Sequence, residues 1–250
     1  WSFSDYVVEN EAVLQLLLQL VTEDATPAVT ASITGNQATV AYEQGATTGQ
    51  YACVVISSPD ADQDRLMFSS ILQDLTLSIN PTANGGRLTA SGTFFSGYQP
   101  GIAAEGTSPN ATAADYEKGF FDCTTTTIGG DNVVLSNFDV TISNPATRVG
   151  YETVNSIDAE PSAYMRGGMI EVTGNVSALL DDNVTDTIDD FTAGTSVNIS
   201  VGNDSSINFE IATAKYTGYS HTDTDSGVFI DLPFKATADG SNNLITIIGT

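Results

Sequence analysis

The residues able to do chemistry are few, and each type lacks partners. His221, the one histidine, lies in "YSHTDTDSG" beside Asp223 and Asp225. A Ser-His-Asp relay needs a positioned nucleophile and a site for the developing oxyanion. No G-x-S-x-G elbow is present, so a solvated loop histidine is expected. One histidine and two cysteines, Cys53 and Cys123, also leave tetrahedral zinc short of ligands. "DADQD" sets Asp60, Asp62 and Asp64 at the alternation calcium favours. An EF-hand loop needs Gly at its sixth position and Glu at its twelfth, where Arg65 and Ile71 stand. The pairs Asp181–Asp182 and Asp189–Asp190 could suggest the two acids of glycoside hydrolysis. Helix N-terminal charge around "DNVTDTIDDF" explains them better. Sequons at Asn110, Asn175, Asn183, Asn198 and Asn203 follow from composition and matter only in a secreted chain. The expectation is a chain with no catalytic residue, no metal and no cofactor.

The charge narrows the function classes further. Against 7 basic residues stand 31 acidic ones, a formal charge of -24 over 250 residues. Such a surface repels phosphates and has no basic patch to release counterions, which argues against sequence-reading nucleic-acid binding. Salt adaptation, as in a halophilic or marine source, calcium binding, or a wall that polyanions must pass without sticking would each produce this acidity. Cys53 and Cys123 could pair or stay free. No apolar run reaches transmembrane-helix length, so no membrane partner is expected. The run "AVLQLLLQL" lacks a basic flank and reads as a short buried helix rather than a signal peptide.

Elements to position these residues are mostly strands. Helical signals are confined to "EAVLQLLLQLV" after Asn10, "NATAADYEKG" (Asn110–Gly119) and "TDTIDDFTAG" (Thr185–Gly194). Ten segments alternate with period two: "QATVAYE", "YACVVIS", "ILQDLTLSI", "GRLTASGTFF", "NVVLSNFDVTIS", "GMIEVTGNVSAL", "TSVNISV", "SINFEIATAKY", "GVFIDLPFKA" and "NLITIIG". The fold class is therefore mainly β, an antiparallel sandwich or barrel with one to three short helices. Residues 1–250 are read as a single domain, with 1–60 as an N-terminal part carrying the first helix.

One strand plan is written twice. "DLTLSINP" leads into "GGRLTASG" (Gly85–Gly92), and "FDVTISNP" leads into "GGMIEVTG" (Gly167–Gly174). Leu75, Leu77 and Ile79 form the inward set of one copy; Phe138, Val140 and Ile142 form that of the other. Each copy reads as a β-hairpin or an arm of a meander, broken by Asn-Pro. The first turns through Thr82–Asn84, whereas the second needs the long segment 146–166. A connection of that length in a compact β domain favours a contact role. It holds Arg148, Tyr151, Tyr164 and Arg166, a large share of the scarce cations.

The order of these segments resembles that of phage tail tube proteins, the major tail proteins of long-tailed viruses. "MFSSILQDLTLSINPTANGGRLTASGTFFSGY" is similar to the family's surface strand and long hairpin. "NFDVTISNP", "RGGMIEVTGNVSALLDD" and "FTAGTSVNISV" resemble the second hairpin and its acidic short helix. "INFEIATAKYTGYSHTDTDSGVFIDLPFKATADGSNNLITIIGT" resembles the closing strands. The resemblance covers roughly residues 67–250.

It implies a structural, non-enzymatic subunit of the virion tail. Hexameric rings would stack into a hollow tube, joining sheets from six copies into an inner β-barrel that viral DNA crosses without sequence-specific binding. Tail terminator and baseplate or tail-tip proteins would be partners, with a tape measure protein and a sheath as further ones. The lumen-facing candidates are Asp74, Thr76, Ser78, Thr89, Ser91, Asp139, Thr141, Glu171 and Thr173. The segment 146–166 would be an arm to the next ring, through Arg148, Tyr151, Tyr164 and Arg166. Six copies at -24 give roughly -144 per ring, enough to repel DNA from the wall if part of it faces inward. The alternative is a secreted or cell-surface acidic β-sandwich serving adhesion or carbohydrate binding.

Overall fold

A computed structural model of the chain describes residues 1–8, 11–22, 36–41, 52–56, 64–96, 101–103, 126–148, 164–202, 207–224, 227–238 and 243–249. In chain order the strands are β1 (Ser2–Val7), β2 (Asn36–Ala41), β3 (Ala52–Ile56), β4 (Asp64–Ile79), β5 (Leu88–Ser96), β6 (Gly101–Ala103), β7 (Thr127–Ile128), β8 (Asp131–Asn132) and β9 (Leu135–Ser143). They continue as β10 (Ala146–Arg148), β11 (Tyr164–Arg166), β12 (Glu171–Leu179), β13 (Val197–Gly202), β14 (Ile207–Tyr216), β15 (Ser220–Thr224), β16 (Gly227–Ala236) and β17 (Asn243–Gly249). Two helices, α1 (Glu11–Thr22) and α2 (Asp182–Ala193), complete the described elements. The expected segment 110–119 lies outside the described residues.

The expected mainly β, antiparallel class is what the chain adopts. Among the described residues, fifteen strands join one open antiparallel sheet, ordered β1-β5-β4-β9-β12-β16-β14-β13-β7-β8. Outside that path, β15 continues along β16, β17 joins β14 to β2, and β3 and β6 pair with β4. Phe209 of β14 lies 5.6 Å from Phe138 of β9, although those strands are not ladder neighbours. The sheet therefore curls back over its own apolar face and closes the core between two layers.

Alternation decides which face is buried. Leu75, Leu77 and Ile79 of β4, and Phe138, Val140 and Ile142 of β9, are all fully buried. Val172 and Val176 of β12, with Leu232 and Phe234 of β16, continue that layer. Helix α1 has apolar residues nearly all round and packs against β4, burying Leu14, Leu17, Leu18 and Val21 while Leu16 stays exposed. Helix α2 presents Val184, Ile188 and Phe191, an i, i+4, i+7 stripe, to the core.

The helix signals are local. Asp181 Oδ1 accepts a hydrogen bond from the Val184 amide at 3.3 Å and starts α2 three residues before the expected Thr185. Gly194, at φ 66°, ends it, with its N–H bonded to the Phe191 carbonyl and the Thr195 N–H bonded to the Asp190 carbonyl.

The two Asn-Pro breaks do different work. Asn80 Oδ1 accepts from the Thr82 and Ala83 amides, each at 3.0 Å, which folds the tight β4–β5 connection. Asn144 is instead buried, with its amide bonded to the Gln73 carbonyl at 2.7 Å. That bond ties the end of β9 to the bulge that β4 makes between Leu72 and Asp74.

Candidate functional site

The second face of the same strands is polar, and register aligns it in rows. Ser91, Thr76, Thr141, Thr173 and Lys235 stand opposite one another across β5, β4, β9, β12 and β16. One row toward the end from which the β10–β11 arm leaves are Thr93, Asp74, Ser143 and Glu171. One row the other way are Thr89, Ser78, Asp139, Asn175 and Pro233. Beyond these, Asn137, Ser177, Asp231 and Ser220 make a fourth row.

All nine expected candidates lie on this one face, because side chains two residues apart project the same way and the paired strands keep phase. Eight of them are half-buried or exposed. Thr89 is covered, at 6% exposure, with its hydroxyl reaching the Ser78 carbonyl at 3.4 Å. Its neighbour across the ladder is Val7 of β1, a strand the alternation did not reveal.

Side-chain hydrogen bonds run both across and along the strands of this face. The hydroxyls of Thr76 and Thr141 share a bond of 2.8 Å. Asn137 Nδ2 donates to Asp139 Oδ1 at 3.2 Å, and Asn175 Nδ2 to Ser177 Oγ at 3.0 Å. Ser177 and Thr222 both donate to Asp231, Thr222 at 3.2 Å. Lys235 Nζ meets Glu171 at 2.8 Å, an exposed pair worth little energetically but fixing the local charge pattern. Lys215 stands directly opposite Lys235, so two of the chain's three lysines share one corner.

Across the rows of β4, β9, β12 and β16, then, Asp74, Asp139, Glu171 and Asp231 stand against Lys235, and β14 beside them adds Glu210 and Lys215. The excess is acidic but modest. Much of the remaining acidity belongs elsewhere, including the five Asp residues of the segment 181–190.

Asp139 is the most constrained of these carboxyls. Burial raises its pKa above the usual 3.8, and the nearby Asp231 charge pushes the same way. The Asn137 amide and the Asn175 backbone N–H offset part of this. A raised folded-state value means the native protein holds that proton more tightly than the unfolded chain. The associated stability is complete below pH 3.8 and is lost as pH rises through the folded value. Asp139→Asn should therefore melt at a higher temperature than wild type at pH 7, with the gap closing as pH falls through the folded value toward 3.8. A gap independent of pH would contradict this.

The other expected site residues fall in three places. Arg148, Tyr164 and Arg166 belong to the β10–β11 ribbon, where Arg148 pairs with Tyr164 and Arg166 with Ala146. Tyr151 lies outside the described residues, as do Asp60, Asp62, Cys123 and Asp225. His221 is exposed as expected, but on strand β15 rather than a loop, with its ring edge-on to Tyr219 at 5.7 Å. Among the described residues no group of three or more His, Cys, Asp or Glu is placed to hold a metal.

Reasoning from sequence missed Asn137, Asn175, Ser177, Asp231, Lys215 and Lys235 as members of this face. The signal was present as period-two alternation in "FIDLPFKA" and "GNVSAL". Which strand neighbours which was the missing information.

Compared with known proteins, residues 6–247 match the family model described as "Phage tail tube protein". No curated protein matches the chain.

Proposed function

Because the chain belongs to the phage tail tube protein family, and so is a structural subunit that assembles into the tube of the virion tail, we propose that six copies close into rings whose polar sheet faces line an acidic bore for viral DNA. The observation that carries this reading is the phase of the polar face. Nine residues chosen for one role share one side of four adjacent strands, while the other side is a continuous core. An antiparallel sheet with one wet and one dry face suits the wall of a water-filled channel.

The sheet also ends in open edges suited to ring closure. Among the described residues, strand β1 pairs only with β5, and β15, exposed at all five residues, only with β16. A sheet edge of this kind can accept a strand from a neighbouring copy. The hydroxyl row of Ser91, Thr76, Thr141 and Thr173 gives a polar wall between belts carrying Asp74 and Glu171 on one side, and Asp139 and Asp231 on the other. Fixed carboxylates repel a polyanion, and hydroxyls offer it no bidentate grip. DNA would slide past without sequence-specific binding.

On the same reading residues 1–250 form one domain, and the segment 146–166 is the arm toward the next ring. The tail terminator, the tail tip or baseplate, a tape measure protein and a sheath are the further partners. The adhesion or carbohydrate-binding alternative has no observation in its favour. Electron microscopy of the purified protein tests the proposal: rings or tubes with six-fold symmetry are expected, and a protein that stays monomeric at high concentration would count against it.

A further inference from the structure

The β10–β11 ribbon leaves the sheet through Asn144, Pro145 and Ala146, of which the outer two are buried. Buried backbone groups need partners, and each N–H and C=O here can be followed to one. The Asn144 N–H bonds the Gln73 carbonyl at 2.7 Å, and the Asn144 carbonyl accepts the Ala146 N–H at 2.8 Å. Pro145 has no N–H, and its carbonyl accepts the Gly167 N–H at 2.9 Å. That last bond makes Ala146 and Arg166 a non-hydrogen-bonded pair of the ribbon, so the Ala146 carbonyl points away from β11. Its partner is a side chain: Gln73 Nε2 donates to it at 3.2 Å.

Gln73 can do this because β4 bulges there. Leu72 pairs with Phe94 and Asp74 with Thr93 of β5, which leaves Gln73 as the extra residue. A bulge of this kind re-aims the side chain it carries. Against β9 the ladder of β4 runs as far as Asp74 and Ser143. Just beyond it, Gln73 grips the chain on both sides of Pro145, by its carbonyl at Asn144 and by its side chain at Ala146. The chain returning toward β12 lies close over the same proline, since a Cβ on Gly168 would come 3.3 Å from Pro145 Cγ. The first copy of the plan turns instead on Asn80 itself, which accepts from the Thr82 and Ala83 amides.

We propose that Gln73 is a positioning residue: it fixes the direction in which the β10–β11 ribbon leaves the sheet, before any contact with another copy. Two anchor points hold a segment in direction as well as in place, where one would let it pivot. The consequence for assembly rests on reading the ribbon as the base of the arm. A base fixed in advance need not be ordered during docking, which removes part of the entropy cost of association.

Hydrogen exchange on dissociated subunits tests the anchor whether or not rings form. Gln73→Met keeps the length of the side chain and removes the donor, leaving the buried Ala146 carbonyl without it. The amides of Ala146, Thr147, Met165 and Gly167 should lose protection by roughly tenfold or more, with those of Val140 and Val176 unchanged. Gln73→Glu should behave the same at pH 7, where its carboxylate cannot donate. It should recover protection toward about pH 4, as the carboxyl gains a proton. Ribbon protection that is unchanged in either variant would overturn the proposal. So would a loss shared equally by β9 and β12, which would make Gln73 a residue of general stability. A loss in Gln73→Glu that persists at acid pH would assign the effect to packing and overturn it too. Tube length tests the arm separately: tubes of wild-type length from Gln73→Met subunits with a loosened ribbon would contradict the arm reading and leave the anchor standing.

Discussion

Phe138→Ala should lower the stability of the subunit by about 3–5 kcal/mol, the largest loss expected from any single truncation. Phe138 is fully buried where the two layers of the sheet meet, with ring centroids 5.6 Å from Phe209 and 6.4 Å from Phe234. Its removal takes away an aromatic side chain's transfer energy. It also opens a cavity that strands pinned on both sides cannot collapse to fill. Domains of this size are stable by roughly 5–15 kcal/mol, so a large part of the margin would go. Urea unfolding of dissociated subunits checks this, since assembly would add concentration-dependent stability. The midpoint should fall with an unchanged slope, and Leu16→Ala, at a 51%-exposed position, should stay within about 0.5 kcal/mol. A Phe138→Ala loss as small as that of Leu16→Ala would mean that the two layers do not pack through this ring.

Gly174→Ala should be destabilising by about 1–3 kcal/mol, although the same change at an unconstrained strand position is stabilising. A Cβ there would run into the backbone carbonyl of Asp139 and come within 2.6 Å of Phe234 Cζ. The carbonyl belongs to a ladder and cannot retreat, and the Phe234 ring is held by its stack on Phe138. Gly92 occupies the matching position of the first copy, where a Cβ would meet the Asp74 carbonyl at 2.6 Å and Phe3 Cε1 at 3.1 Å. The repeated glycine thus has one cause: each lets an aromatic ring of an adjacent strand lie close over the backbone. Thermal melting of both variants checks the sign. An unchanged or raised melting temperature for Gly174→Ala would mean that the sheet is looser here than its geometry indicates.

Much of this was legible from residue order alone, for a physical reason. A sheet with one dry face prints its phase directly into the chain, so "DLTLSI", "FDVTIS" and "IEVTGNVS" announced both strands and the side each residue takes. All ten segments with that alternation are strands, and "EAVLQLLLQLV" is α1. The parts not seen lack a dry face. Strand β15 is polar at every position, and β1, half polar, is exposed at four of its six, because each is an edge with little core to cover. Strand β4 begins at Asp64 rather than Ile71, since its first half, "DRLMFSS", does not alternate with period two. The neighbours that Asp231 and Lys235 gain across β12 depend on strand order, which alternation does not encode. The bore is a further step removed, because it exists only between subunits.

That bore is the central claim, and a helical reconstruction from electron micrographs of assembled tubes tests it most directly. The account predicts six-fold rings with Asp74, Thr76, Asp139, Thr141, Glu171 and Thr173 directed toward the axis, and β1 of each copy beside β15 of its neighbour. Tubes whose polar rows lie on the outer wall, with another surface lining the channel, would contradict it.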